Sequence, residues 1–352
     1  PPRSTLFPYT TLFRSSIDMI DAILGSSSAV SGSDGLTGAL DIRLARAGRN
    51  VGDSFSPWLT SRVDSANGVQ LSTGFDGEAS GWRYSIEGGL FDFHNRVGGK
   101  DAPDNYFGSG ADAYDDEIPN TAYEQWAGAA RFAYDGLQDQ TLDLAFGKTQ
   151  QNDARRPDGY YENSGVSSRL SRYYDPESFS YAHLRHSWTP KNQFFDKLTT
   201  TAWWHRQDEY QGREDTASSG TVYRRREYND RIDSVGIEPQ AVSKIGKTHD
   251  VTYGAVALFE QTRNSYREYR NLGGLDPAGA TPYHPENWSQ NTTVTDGAKY
   301  NTYAAYLQDM WRIDDRWSLL SGLRYTHVEW DFDVASKDRK STRLNSSHGK
   351  LS

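Results

Sequence analysis

Alternation between apolar and polar residues is the feature that most constrains the fold of this chain. In the segment GVQLSTGFDG (68–77), Val69, Leu71 and Phe75 fall on one side of an extended strand and polar residues fall on the other. The segments GWRYSIEGGL and TLDLAFG repeat the pattern. A period of two is typical of β-strands whose two faces meet different surroundings. Helical periodicity is nearly absent after Gly48, so the sequence predicts an all-β fold.

Apolar runs are short throughout the sequence. None approaches the roughly 18 residues of a membrane-spanning helix, whereas a spanning β-strand needs only about 9–11 alternating residues. The chain contains 22 Tyr and 10 Trp, although only 36% of its residues are hydrophobic. This combination is typical of membrane barrels, which place their apolar area in alternating strands and in aromatic girdles.

The connections between the expected strands alternate in length. Short links such as GKT and DDR are followed by long polar ones at 94–121, 151–178, 210–229 and 266–298. Short turns at one end and long loops at the other are the pattern of an outer-membrane barrel, and compact soluble domains seldom carry four structureless loops of this length. The predicted strands lie near 55–64, 68–77, 81–93, 122–135, 140–150, 179–189, 198–209, 230–245, 249–265, 299–313 and 316–332.

Aromatic residues cluster near the short-turn ends of these strands, where an interfacial girdle belongs. The members of this predicted girdle are Trp82, Phe132, Tyr134, Trp188, Trp311 and Trp317. Alternation and loop lengths alone leave a soluble β-sandwich or propeller with long wet loops as the alternative.

Both termini look foreign to the fold. The letters TLFPYTTLFRS (5–15) are those encoded by a sequencing adapter, and DRKSTRLNSSH (338–348) resembles the read-through of the opposite adapter. We therefore expect 1–15 and 338–352 to be non-native. The remainder carries 32 basic and 46 acidic side chains, a formal charge of −14, which argues against a nucleic-acid partner. The absence of cysteine excludes disulfides and thiolate metal sites.

The segment IDAILGSSSAVSGSDGLTGALDI (20–42) resembles the end of the plug domain of TonB-dependent outer-membrane receptors. Small residues let the backbone turn tightly and approach its neighbours, and ALDI (39–42) is predicted to form a strand of the plug's own sheet. Departures from the family pattern are Leu24, Ser26, Ser31 and Thr37. The segment lacks the motifs of a phosphate loop or a nucleophile elbow. Its matching plug-motif residues include Gly25, Ser27, Ser28, Gly32, Ser33 and Gly38.

The resemblance continues through most of the chain, most clearly at 250–265 and 293–332. It implies an antiparallel transmembrane β-barrel of which this chain holds about 11 of about 22 strands. The expected domains are the end of the plug at 16–48 and the first half of the barrel at 49–337, between the two adapter-derived ends.

The resemblance also implies a function, namely active uptake of a scarce ligand across the outer membrane of a Gram-negative bacterium. A ferric siderophore or haem is the first expectation for the ligand. Implied partners are a TonB-type energy transducer acting on an N-terminal box upstream of this chain, outer-membrane lipid and lipopolysaccharide. The alternative is a non-transporting β-rich surface binding protein or adhesin. Neither a cofactor nor an enzymatic activity is expected, because no spacing of His, Asp and Ser indicates a catalytic triad.

Candidate binding residues lie in a long loop. Arg155, Arg156, Tyr160 and Tyr161 would suit an anionic, partly aromatic ligand, although ordinary loop residues or contacts with lipopolysaccharide phosphates remain the alternative.

Other clusters have simpler interpretations. His183 and His186 lie three apart on a strand and so point to opposite faces, which excludes chelation by this pair. The acidic loop 101–117 lacks the order of a calcium-binding loop, so no metal site is predicted. Inward-facing charges are expected to form salt bridges with the plug and with neighbouring strands, namely Arg83, Glu87, Arg131 and Arg324.

Overall fold

The chain is described by a computed structural model that covers most of the predicted strands. The described residues are 17–24, 38–44, 47–48, 54–63, 68–97, 117–118, 121–155, 168–190, 195–217, 222–270 and 296–331. Within these ranges, no helix is both long enough and apolar enough to cross a membrane.

The described ranges contain sixteen β-strands, which bear out the prediction of an all-β fold. Their bounds are β1 (Ile17–Leu24), β2 (Gly38–Leu44), β3 (Ser56–Val63), β4 (Val69–Ala79), β5 (Trp82–Phe93), β6 (Arg96–Val97), β7 (Glu117–Ile118), β8 (Tyr123–Leu137), β9 (Gln140–Asn152), β10 (Ala154–Arg155), β11 (Ser168–Trp188), β12 (Lys197–Ala217), β13 (Val222–Ile245), β14 (His249–Arg270), β15 (Lys299–Arg312) and β16 (Ser318–Asp331).

One large antiparallel sheet dominates the molecule. Its strand order is β16-β15-β14-β13-β12-β11-β9-β8-β5-β4-β3, and the short β10 pairs with β11. Strands adjacent in this order follow one another along the chain, the arrangement that hairpin connections produce. Each of the eleven strands of this path overlaps one of the eleven predicted strands. Two small antiparallel pairs, β1 with β2 and β6 with β7, lie outside this sheet.

Tight turns close one end of the hairpins, as the short links predict. Ser80 and Gly81 both have positive φ, 51° and 78°, and they join β4 to β5. Two consecutive residues with positive φ form the turn whose twist matches that of antiparallel strands. Residues 246–248 similarly join β13 to β14.

The other ends of four strands differ from the prediction. We predict loops at 151–178, 210–229 and 266–298, yet β11 begins at Ser168, β12 runs to Ala217, β13 begins at Val222 and β14 runs to Arg270. These parts of the predicted loops are strand. The backbone hydrogen bonds between the strands continue beyond the point at which the alternation of apolar and polar residues stops. Hydropathy alternates only where the two faces of a sheet meet different media.

The two faces of the sheet differ in chemistry. The outer face, as we call it, exposes large apolar side chains on successive strands, among them Leu71, Leu90, Leu184, Ile237 and Leu323. The opposite, inner face carries mainly polar, small or aromatic residues. The predicted girdle residues Trp82, Trp311 and Trp317 are exposed next to the tight turns, at 40%, 40% and 69% of their area. One face is thus suited to hydrocarbon and the other to a polar interior.

The strands are tilted relative to the apolar band. A row of register partners leads from Tyr84 on β5 through β8, β9, β11, β12, β13 and β14 to Tyr303 on β15. Tyr84 lies two residues from the girdle residue Trp82, whereas Tyr303 lies eight residues from Trp311. The row therefore climbs six residues over seven strand-to-strand steps, a tilt of about 30° at the usual strand rise and spacing. Closing a sheet into a barrel requires such a tilt.

Candidate ligand-binding surface

Four strands extend beyond the apolar band. On β12 and β13 the band ends with Trp204 and Val235, and the next outer residues form the ion pairs Arg206–Asp233, 2.7 Å, and Arg231–Asp208. We call the part of these strands beyond the Arg206–Asp233 pair the extension. It comprises residues 168–178 of β11, 207–217 of β12, 222–232 of β13 and 262–270 of β14.

A row of arginines crosses the inner face of the extension. Arg172 on β11 is in register with Arg213 on β12, which is in register with Arg226 on β13. Glu268 on β14 ends the row beside Arg226. All three arginines are partly exposed. Like charges directly opposite each other destabilise a sheet, by about 1 kcal/mol for two charges 4 Å apart even in water. An anion bound across the arginine row would relieve this repulsion.

Tyrosines form the next row on the same face, one step closer to the apolar band. Tyr174, Gln211, Tyr228 and Tyr266 occupy consecutive register positions on β11 to β14. Gln211 Nε2 donates to the Tyr174 hydroxyl at 2.9 Å, and the rings of Tyr228 and Tyr266 lie 5.0 Å apart. The Tyr266 hydroxyl donates to Glu268. Burial, reinforced by this carboxylate, raises the pKa of Tyr266. The tyrosine row therefore offers ring edges and faces directly below the arginine row.

Carboxyl groups form the third row. Glu177, Glu209 and Asp230 are in consecutive register on β11, β12 and β13, and Asn264 follows on β14. Burial raises the pKa of Glu177 and of Asp230. Because burial penalises the charged form, these two carboxyl groups hold a proton more strongly than solvated ones do. Along the strands towards the apolar band, the inner face of the extension thus presents an arginine row, a tyrosine row and a carboxyl row.

The outer face of the extension is organised differently. Arg225 donates from Nη2 to the Tyr173 hydroxyl at 2.9 Å and lies 3.2 Å from Glu227 and 3.9 Å from Glu214. Burial, together with the negative charge of Glu227, raises the pKa of Tyr210 to about 12. The cation Arg225 on this face therefore lies near two carboxylates.

Two histidines lie on the inner face, between the carboxyl row and the tight turns. His183 faces inward and meets His205 of β12, with 2.7 Å between their Nε2 atoms. His186 lies on the outer face and contacts Gln140 Oε1 through Nε2, at 2.8 Å. The prediction that His183 and His186 point to opposite faces is confirmed. His205 lies on another strand and was not among the residues selected from the sequence.

The predicted inward-facing charges do contact neighbouring strands. Arg131 pairs with Glu87 at 3.0 Å, with side chains only 5% and 9% exposed, and Arg83 pairs with Asp135 at 2.7 Å. Arg324 donates to Thr326 at 3.1 Å and lies over the Tyr306 ring, 5.6 Å from its centroid. Charged side chains on the inner face therefore connect neighbouring strands, as the alternation predicts.

The chain upstream of β3 also contacts the inner face. Ala47 is buried, and its carbonyl oxygen accepts a hydrogen bond from Arg83 Nη1 at 3.2 Å. The amide of Gly48 donates to Ser85 Oγ at 3.1 Å. Residues 47–48 thus lie against the inner face of β5.

The residues selected from the sequence are only partly described. Arg155 is exposed at the end of β10, in register with Tyr173, whereas Arg156, Tyr160 and Tyr161 lie outside the described residues. Gly38 begins β2, which contains the predicted strand 39–42 and pairs with β1. The acidic loop 101–116 and both adapter-like ends also lie outside the described residues. So do the other plug-motif residues, namely Gly25, Ser27, Ser28, Gly32 and Ser33.

Comparison with protein families identifies this architecture. Residues 107–351 match the family described as TonB dependent receptor-like, beta-barrel. The chain belongs to this family. Its members are outer-membrane receptors and transporters rather than enzymes, and the protein is located in the outer membrane of a Gram-negative bacterium. A comparison with curated proteins found no match.

Solved receptors share the fold at low sequence identity. The FrpB iron transporter from Neisseria meningitidis (F3-3 variant) has a TM-score of 0.65 at 16% identity, over 90% of this chain and 48% of that one. The copper transporter OprC has a TM-score of 0.65 at 13% identity, over 91% and 43%. The siderophore receptor PiuA from Acinetobacter baumannii has a TM-score of 0.57 at 12% identity, over 92% and 49%. The chain thus spans about half the length of these receptors.

Proposed function

We propose that this receptor captures an anionic, partly aromatic iron chelate, a ferric siderophore first and haem second, and imports it across the outer membrane. The observation that carries the proposal is the arginine row formed by Arg172, Arg213 and Arg226 directly above the tyrosine row. Guanidinium groups bind carboxylate and catecholate oxygens through charge-assisted hydrogen bonds, and tyrosine rings pack against planar ligands.

Membership of the family supports the remaining proposed roles. A plug formed in part by residues 16–48 would fill the lumen, and a TonB-type transducer would act on a box upstream of this chain. The contacts of Ala47 and Gly48 with β5 support a plug on the inner side of the wall. The apolar outer face and its girdle support contact with membrane lipid and, at the outer leaflet, with lipopolysaccharide.

The arginine row also revises the choice of ligand-binding residues. Arg155, Arg156, Tyr160 and Tyr161 remain a proposed second contribution from the loop, although Arg155 itself lies in register with Tyr173, on the outer face of the sheet. The arginine and tyrosine rows are the proposed inner contribution.

Neighbouring arginines on one strand provide the test. Arg226 belongs to the inner row, whereas the adjacent Arg225 lies on the outer face among carboxylates. In the complete receptor, Arg226→Gln should weaken binding of a strongly anionic ferric tris-catecholate or of haemin at least about tenfold, because a charged hydrogen bond is worth roughly 1.5–3 kcal/mol. Binding is measured by quenching of tryptophan fluorescence, and import by radioactive iron uptake.

Arg225→Gln is the matched control and should leave binding of the chelate unchanged. Equal losses for both variants would contradict a site on the inner face. Binding without uptake in the unmodified receptor would favour the non-transporting binding protein or adhesin instead.

A further inference from the structure

Two imidazole rings meet on the inner wall, below the proposed chelate site. The Nε2 atoms of His183 and His205 lie 2.7 Å apart. The residues come from neighbouring strands, with His183 in register with Trp203 and His205 in register with Tyr181. They form a diagonal pair on one face, so the backbone ladder itself sets their separation.

Aromatic neighbours hold both rings in place. The ring centroids of Tyr181 and His183 are 5.1 Å apart, and those of Phe179 and His205 are 5.5 Å apart. Phe179 and Tyr181 are themselves buried. Tyr181 packs over Gly147 of β9, where an added Cβ would overlap its ring. The two imidazoles therefore need little reorganisation to act together, which lowers the entropic cost of binding a shared ligand.

The chemistry of the pair suits a metal ion. An Nε2–Nε2 contact holds at most one shared proton, so at least one ring directs a lone pair to the point between them. Neutral imidazole nitrogen is a favoured ligand of copper, nickel and zinc. Metal–nitrogen bonds of about 2.0–2.1 Å place two ligands of one ion roughly 3 Å apart, so a small separation of the rings suffices.

We propose that His183 and His205 form a two-histidine site for a divalent transition-metal ion of the copper, nickel and zinc class. Among the described residues, no group of three or more His, Asp and Glu side chains is placed to hold a metal, so this part of the chain supplies two ligands and leaves the other coordination positions open. Such an open site exchanges its ion readily, as a position along a transport path must. The proposal concerns the bare ion and stands independently of the chelate bound at the arginine row.

Copper alone is the probe, because it binds nitrogen ligands more tightly than nickel or zinc does. The complete receptor in detergent should bind Cu²⁺ with the electron paramagnetic resonance signature of two imidazole nitrogens. His183→Gln and His205→Gln are measured separately, with strand content checked by circular dichroism, so that either variant that folds carries the test. Each should weaken Cu²⁺ binding at least about tenfold and remove the two-nitrogen signal.

His186→Gln is the matched control, since His186 lies on the same strand as His183 but on the outer face, beside Gln140. It should bind Cu²⁺ as the unmodified receptor does. Arg226→Gln should also leave Cu²⁺ binding unchanged, which separates this site from the chelate site. Unchanged copper binding in a folded His183→Gln or His205→Gln variant, or no two-nitrogen signal in the unmodified receptor, would overturn the assignment.

Discussion

The same four strands, β11 to β14, have a different character in their two halves. Within the apolar band, the outer face carries residues such as Leu184 and Ile237 and the inner face carries Arg185 and Glu238. In the extension, both faces are polar, and they differ in how charge is arranged rather than in hydropathy. The surrounding medium determines side-chain chemistry in the first half, and cross-strand electrostatics determines it in the second.

One packing device is common to both halves. Glycines lie in register with aromatic residues whose rings cover them, as Gly236 does with Trp203 within the band and Gly212 with Tyr173 in the extension. A ring that covers the glycine of the neighbouring strand shields a backbone that has no side chain of its own. Packing of this kind depends on register and not on the medium.

A charge placed on the outer face should separate the two halves most strongly. Leu184→Arg, in the middle of the band, should destabilise the complete receptor in lipid vesicles by about 2–4 kcal/mol, because the guanidinium would lie in hydrocarbon. Asn229→Arg, on the outer face of the extension, should change the free energy of unfolding in urea by less than about 0.5 kcal/mol. Similar costs at the two positions would contradict the placement of the membrane boundary.

The covered glycines give the next largest effect. In Gly236→Ala the new methyl group would overlap the Trp203 ring, and displacing the ring should cost about 1–3 kcal/mol. Gly88 provides the control, because a Cβ there would meet only the Ala127 carbonyl oxygen at 3.5 Å, an ordinary contact. Urea unfolding of both alanine variants measures the difference. A Gly236→Ala variant as stable as Gly88→Ala would show that the ring moves aside freely.

The carboxyl row should give the smallest effect and the clearest pH dependence. Glu209→Gln should stabilise the extension at neutral pH by up to about 1 kcal/mol, since it removes the one negative charge that faces both Glu177 and Asp230. Their raised folded pKa values mean that their contribution to stability is complete at acidic pH and is lost as the pH rises through those values. The advantage of Glu209→Gln should therefore shrink on acidification, as hydrogen exchange of the amides of β12 and β13 would measure.

Glu214→Gln, on the outer face, supplies the contrast. Glu214 lies near the cation Arg225, so its neutralisation should be neutral or slightly destabilising. Stabilisation by both glutamine variants would mean that net charge, and not the register of the carboxyl row, governs the extension.

Turn chemistry and alternation predicted the positions of the eleven main strands well, especially at their tight-turn ends. Ser80 and Gly81, for example, mark the β4–β5 turn in the sequence itself. The far ends were wrong for β11 to β14, because strands with water on both faces lose the hydropathy period by which they are recognised. The run RRREY at 224–228 was a visible signal of the arginine and tyrosine rows, but its partners on other strands were not.

The sequence by itself determined the eleven main strands of the large sheet, the two-faced chemistry of the band and the alternation of short turns with long loops, because each depends on residues adjacent in the chain. Only the tertiary structure decided that Arg172, Arg213 and Arg226 share a row and that His205 meets His183. Neighbours in the arginine row lie 41 and 13 positions apart in the sequence, and the two histidines lie 22 apart. Register across strands is a long-range property, fixed by the whole hydrogen-bonded ladder, and a single strand does not contain it.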